Sequence, residues 1–196
     1  MKPLMLTLFV PIFCLVQTGS EPKTRLSSQD SIPNTAITLK DKNVIYQKVF
    51  LSDLKKEDLA DRINMLLGNM RNFKFNKDNY LSSFDFFGRL SNYKFSLNKF
   101  QSSWFERPTI LSCPMNASVA IQVKDYKYRV TISEMTIEVG RDTIGKTTEI
   151  FFDDIITTRN RTAFKMSKSN VRTAERVNQD FADRFNLNRS AISEDF

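Results

Sequence analysis

Histidine is absent from all 196 residues. Its absence excludes Ser-His-Asp hydrolysis, Cys-His nucleophilic catalysis and every His-bearing zinc site. Cysteine is nearly absent, with Cys14 and Cys113 as its two occurrences, too few for a thiolate metal cage. Five glycines form no Gly-rich phosphate loop, which argues against nucleotide hydrolysis. No apolar run reaches the roughly 20 residues that a helix needs to span a hydrocarbon core. The chemistry left is that of carboxylates, lysine and tyrosine, and the sequence implies neither a cofactor nor a metal.

The first twenty residues are distinctive. Met1-Lys2 precede an apolar run from Pro3 to Val16, closed by Gln17-Thr18-Gly19-Ser20. One basic residue, an apolar core of about a dozen and a polar break are the three parts of a secretory signal, here 1–20. A lipid on Cys14 is the alternative, but the bulky Pro11-Ile12-Phe13 before it and Leu15-Val16 after it favour a place inside the signal core. The mature chain then keeps Cys113 alone and has no internal disulfide, and it is expected in the periplasm, at the envelope or secreted. Cys113 beside Pro114 reads as a small buried hydrophobe.

Residues 21–43 are rich in serine, proline and charge and read as a flexible leader. A single domain is expected over 44–188, followed by a polar tail over 189–196. Val44–Leu51 is β-branched and aromatic and predicts a strand. Ser52 or Asp53 then caps a helix whose stripe is Leu59, Ile63, Leu66, Leu67 and Met70. From Arg71 to Phe105, eleven aromatics recur at alternate positions, which suits strands with a core-facing side rather than a nucleic-acid platform. Val119/Ile121/Val123 and Tyr126/Tyr128/Val130/Ile132 flank Lys124-Asp125 as a hairpin, and Met135/Ile137/Val139 extend its second strand past a bend. A last helix over about Ser169–Phe185 aligns Val171, Ala174, Val177, Phe181 and Phe185. The order β-α-β(several)-α predicts an α+β fold, an antiparallel twisted sheet packed with two helices.

The strand Tyr46-Gln47-Lys48-Val49-Phe50, the segment Lys56–Arg62 after it, and the hairpin Ala120–Ser133 resemble exported Bacteroidetes proteins of a domain-of-unknown-function family with a TATA-binding-protein-like fold. The end of the signal, Phe13-Cys14-Leu15-Val16-Gln17, is similar to theirs. Their hairpin turn commonly carries Asp-Gly, whereas Asp125 here is followed by Tyr126. The resemblance implies a fold and an envelope setting and brings no catalytic residue; the fold's name says nothing of DNA.

Two sets of charges stand out. Asp153-Asp154 is an adjacent acidic pair, read as solvated carboxylates at a strand edge because neighbours in a strand face opposite ways. Arg159, Arg161, Lys165, Lys168 and Arg172 follow with no acid between Asp154 and Glu175. These five are the candidate anion-binding residues, against the plainer reading of a solvated face. Sequons at Asn116, Asn160 and Asn188, and the patterns Asp30-Ser31-Ile32 and Asp142-Thr143-Ile144, are weak glycosylation signals. The resulting expectation is a non-enzymatic module binding an envelope protein or anionic ligand by a sheet edge or the basic segment, without nucleic acid or a membrane span in the mature chain. The alternatives are a carboxylate- and lysine-based enzyme acting on envelope glycans, and a host-secreted eukaryotic protein.

Overall fold

Alternation decides which side of each strand is buried. In Met115–Lys124, residues Met115, Ala117, Val119, Ile121 and Val123 are buried, while the residues between them are half-buried or exposed. The computed structural model describes residues 30–76, 84–96, 108–141 and 147–190. Within it seven antiparallel strands form one sheet: β1 (Ile37–Lys40), β2 (Asn43–Leu51), β3 (Phe73–Phe75), β4 (Asp85–Tyr93), β5 (Met115–Lys124), β6 (Lys127–Arg141) and β7 (Thr147–Phe151). Their order is β1-β2-β6-β5-β4-β3, with β7 added to the far half of β6. The helices are α1 (Lys56–Asn69), α2 (Phe152–Ile156), α3 (Lys168–Arg184) and α4 (Leu187–Ser190). The protein is thus α+β, a twisted antiparallel sheet whose inner face is packed with helices. No helix among the described residues is long and apolar enough to cross a membrane.

The sheet begins earlier than the sequence suggests. β1 lies inside the stretch read as a flexible leader, and Ile32, Ile37 and Leu39 are buried. A two-residue hairpin turn, Asp41-Lys42, joins β1 to β2 with both residues at positive φ (50° and 65°), the geometry that matches strand twist. Ile37 and Leu39 fall on one face of β1, and Ile32 joins them in the core. At the other end, α4 runs to Ser190, into the stretch read as a polar tail.

In α1, Leu59, Ala60, Ile63 and Leu67 are buried and Leu66 is only half-buried, so the stripe turns slightly away from Leu66. Its cap also differs from expectation. Neither Ser52 nor Asp53 caps the helix; Asp125 in the β5–β6 turn accepts the Lys56 N–H at 3.1 Å, a cap supplied by tertiary contact. α3 is capped by Ser167, whose hydroxyl accepts from Asn170 N–H at 3.3 Å. The bend in β6 is a bulge at Glu134 (φ 51°), after which Met135 and Ile137 return to the core. The segment Phe151–Ile156, whose two acids suggested a strand edge, is the end of β7 followed by α2. Cys113 is half-buried and packs against the core.

Candidate functional site

The expected acidic pair is a structural centre. α2 starts at Phe152, so Asp153 and Asp154 sit in a helical first turn, where both turn toward one neighbour. Asp153 is buried, not solvated, and its Oδ2 accepts the Val44 N–H at 3.3 Å. Arg161, held at φ 53°, reaches Asp154 Oδ1 at 2.8 Å and Asp153 Oδ2 at 3.6 Å, and its guanidinium lies 5.2 Å from the Phe151 ring centre. The pair therefore converges on a cation from the chain itself. Burial raises the Asp153 carboxyl above its ordinary 3.8, opposed by the Val44 N–H and by Arg161.

The sign of this shift sets a testable dependence. The folded chain holds the Asp153 proton to higher pH than the unfolded chain, so this group lowers stability as pH climbs from 3.8 through its folded value. Asp153→Asn is expected to gain on the parent protein across that window, with the gap in urea midpoint widening as pH rises. A gap that stays constant with pH would show that Asp153 titrates as an ordinary surface carboxylate.

The candidate anion-binding residues do not remain one free stripe. Arg161 is committed to Asp153 and Asp154, and Lys165 Nζ donates to the carbonyls of Asp154 (2.9 Å) and Ile155 (3.2 Å) in α2. Arg159 and Lys168 are exposed, in a turn and at the start of α3, and Arg172 is half-buried and partnered. The absence of acids between Asp154 and Glu175 was misleading, because the compensating carboxylates lie just upstream.

A second buried carboxylate, Asp180 of α3, accepts Tyr93 O–H at 2.5 Å and Ser96 N–H at 3.1 Å. Burial first, and Asp180 second, push the Tyr93 hydroxyl far up. Both side chains are inside the core, where they fix β4 to α3. Among the described residues, no three His, Cys, Asp or Glu side chains gather as a metal site.

The part of the surface that sequence reasoning missed is the edge of β2. β1 pairs with β2 only from Asn43 to Tyr46. Pro33 and Asn34 (φ 59°) then turn the chain away, with Thr35 N–H returning to Ile32 C=O. Gln47 N–H still donates to Ala36 C=O, but the Ala36 N–H goes to Asn178 Oδ1 at 2.8 Å, which ends the ladder. Among the described residues, no strand covers Lys48–Leu51 on this side. Backbone groups alternate in direction along an antiparallel strand, so Val49 and Leu51 aim their N–H groups outward as Gln47 does. Ser52 N–H, in the opposite phase, bonds to Tyr126 C=O in the hairpin.

The side chains at this edge are apolar. Val49 is 53% exposed and Leu51 77%; beside them Tyr126 is 51% exposed and Leu54 38%. Tyr126 N–H donates to Leu54 C=O, which joins the hairpin tip to the end of β2 as one corner. The signal for this patch was present in sequence: Val44–Leu51 is apolar in both phases of the strand, while only one phase, Tyr46 and Phe50, enters the core.

No protein-family model matches the chain, and no curated protein matches it. Two solved structures are similar to it. One is a TBP-like protein from Parabacteroides distasonis, with a TM-score of 0.48 and 16% identity over 76% of this chain and 94% of that one. The other is a DUF4468 family protein from Bacteroides ovatus, with a TM-score of 0.46 and 15% identity over 76% of this chain and 90% of that one. Both come from Bacteroidetes, as do the exported proteins that the residues of β2 and the β5–β6 hairpin resemble.

Proposed function

We propose that this chain is an exported, non-enzymatic envelope or periplasmic module that takes up a protein partner along the open edge of β2. The export half of this reading rests on the basic, apolar and polar order of Met1 to Ser20. The binding half is carried by one observation: among the described residues, no strand pairs with Lys48–Leu51 on the side away from β6, and Val49 and Leu51 are exposed there. An exposed apolar edge is a ready template for another strand and is normally blunted; here no described residue covers it. The internal engagement of Asp153, Asp154 and Asp180 weighs against the glycan-processing alternative, which needs carboxylates turned to a substrate.

A photo-cross-linking residue at position 51, introduced in the producing cell, is expected to give a discrete adduct with another protein. The same residue at Thr148, exposed on β7, is expected to give none. Equal adducts from both positions, or none from position 51, would remove the edge as the contact.

A further inference from the structure

We propose that the partner of the β2 edge is an extended, acidic segment whose carboxylates, at alternate positions, fall on the face of Val49, Leu51, Arg129 and Lys127, with apolar side chains on the other face; this rests on the edge-binding reading above. The hydrogen-bonding half of the argument is geometric. Gln47 C=O and the outward N–H and C=O groups of Val49 and Leu51 stand at strand spacing along one line. An incoming strand satisfies them as the next member of the sheet, and its alternate side chains fall beside Val49 and Leu51.

The charge half comes from the neighbouring strand. Val49 lies opposite Arg129 and Leu51 opposite Lys127 in the β2–β6 register, so these cations share the face of the two apolar residues. Lys127 in turn lies directly opposite Lys124. Two like charges face to face across strands cost stability. The segments 51–56 and 124–129 together carry five cations and two carboxylates. Lys56 lies over the Phe84 ring and Arg129 donates to Gln122, so the charge offered to a partner is chiefly that of Lys55, Lys124 and Lys127. One of those carboxylates, Asp125, accepts the Lys56 N–H. A strand added to β2 would lie two inter-strand spacings, about 10 Å, from β6. A lysine and a glutamate reaching toward each other span that gap over Leu51. A second copy of this chain fits less well, because it would bring the same cations to the same edge.

Tyr126 points the same way. It occupies a left-handed conformation (φ 62°) at a two-residue turn, where glycine carries no strain. A half-exposed aromatic held there costs the fold stability, and such strain gathers at contact sites.

The test uses the purified chain and three labelled synthetic peptides that alternate isoleucine with glutamate, threonine or lysine, followed by fluorescence anisotropy. The glutamate peptide is expected to bind tightest and the lysine peptide weakest, with the difference shrinking as salt screens it. Leu51→Pro, which removes an outward N–H without touching the β6 ladder, is expected to weaken every peptide by about tenfold. Leu51→Glu keeps that N–H and is expected to weaken the glutamate peptide alone. Lys124→Gln with Lys127→Gln is expected to erase the preference for glutamate over threonine. Tyr126→Gly is expected to raise the urea midpoint while weakening binding, opposite signs that a purely structural tyrosine would not give. Equal binding of the lysine and glutamate peptides would overturn the acidic partner and leave the edge standing. Binding by none of the three, or binding indifferent to both Leu51 variants, would overturn the edge itself. A dimer of the chain that Leu51→Glu dissolves would replace the acidic partner with a second copy.

Discussion

Phe181→Ala is expected to lower stability by about 3–5 kcal/mol, the largest loss of any single truncation in this core. Phe181 is fully buried in α3 and is the shared neighbour of three aromatic rings. Its centroid lies 5.2 Å from Tyr46 of β2 in an edge-on arrangement, 5.9 Å from Tyr93 of β4 and 6.0 Å from Phe95. The ring therefore joins strands from both sides of the β6–β5 centre to one helix. Truncation removes the transfer energy of the ring and leaves a void that three stiff aromatics refill poorly. It also removes the ring packed against Tyr46, whose hydroxyl is buried without a hydrogen-bond partner among the described residues. Urea denaturation of parent and variant measures the loss. A change below about 1 kcal/mol, the scale of an ordinary surface substitution or less, would mean that α3 is not seated on the sheet as described.

Gly88→Ala is expected to cost about 3 kcal/mol, at the upper end for overpacking. Gly88 of β4 lies opposite Phe75 of β3. A Cβ there would stand 2.2 Å from Phe73 Cζ and 2.6 Å from the Lys74 carbonyl oxygen. The ring can swing aside, but the carbonyl belongs to the neighbouring strand, so β3 must lift. The loss is expected to fall chiefly on β3, detected as faster amide exchange at Phe73–Phe75 with β5 and β6 still protected. Phe73→Leu in the same chain should restore part of the stability, since it removes the first clash and leaves the second. Uniform exchange across the sheet would show that β3 and β4 unfold only with the whole domain.

Where one face of an element is buried and the other is not, sequence and structure agree. The strand at Val44, the hairpin around Asp125, the stripe of α1 and the face of α3 were all legible for that reason. The misses have a different origin. β1 is four residues long, too short for alternation to stand out against serine, proline and charge. α2 is five residues long and carries two acids in its first turn, which favour a helix N-terminus yet fit a strand edge equally well. The basic segment looked uncompensated because pairing was judged along the chain. Its carboxylates are supplied across a turn, through Arg161 in a left-handed conformation that no periodicity announces. The apolar second phase of Val44–Leu51 was legible, but its lying at an open edge was not, because an edge is a property of neighbours: it exists through the turn at Asn34 and the capture of Ala36 by Asn178.

That capture also sets the order in which the molecule can be completed. Gln47 meets Thr131 across 84 positions of chain, and Ala36 meets Asn178 across 142. Synthesised from its N-terminus, the chain releases β1 and β2 long before β6 exists to pair with them, and before α3 exists to hold them. A lone hairpin of that size is marginal in water, so β1–β2 lacks its β6 neighbour until that strand is made, and its hold on Asn178 until α3 is made. Non-local closure of this kind is slow and leaves strand edges exposed meanwhile. The β5–β6 hairpin can close by itself, but the turn that frees the β2 edge is fixed only when α3 brings Asn178 to Ala36.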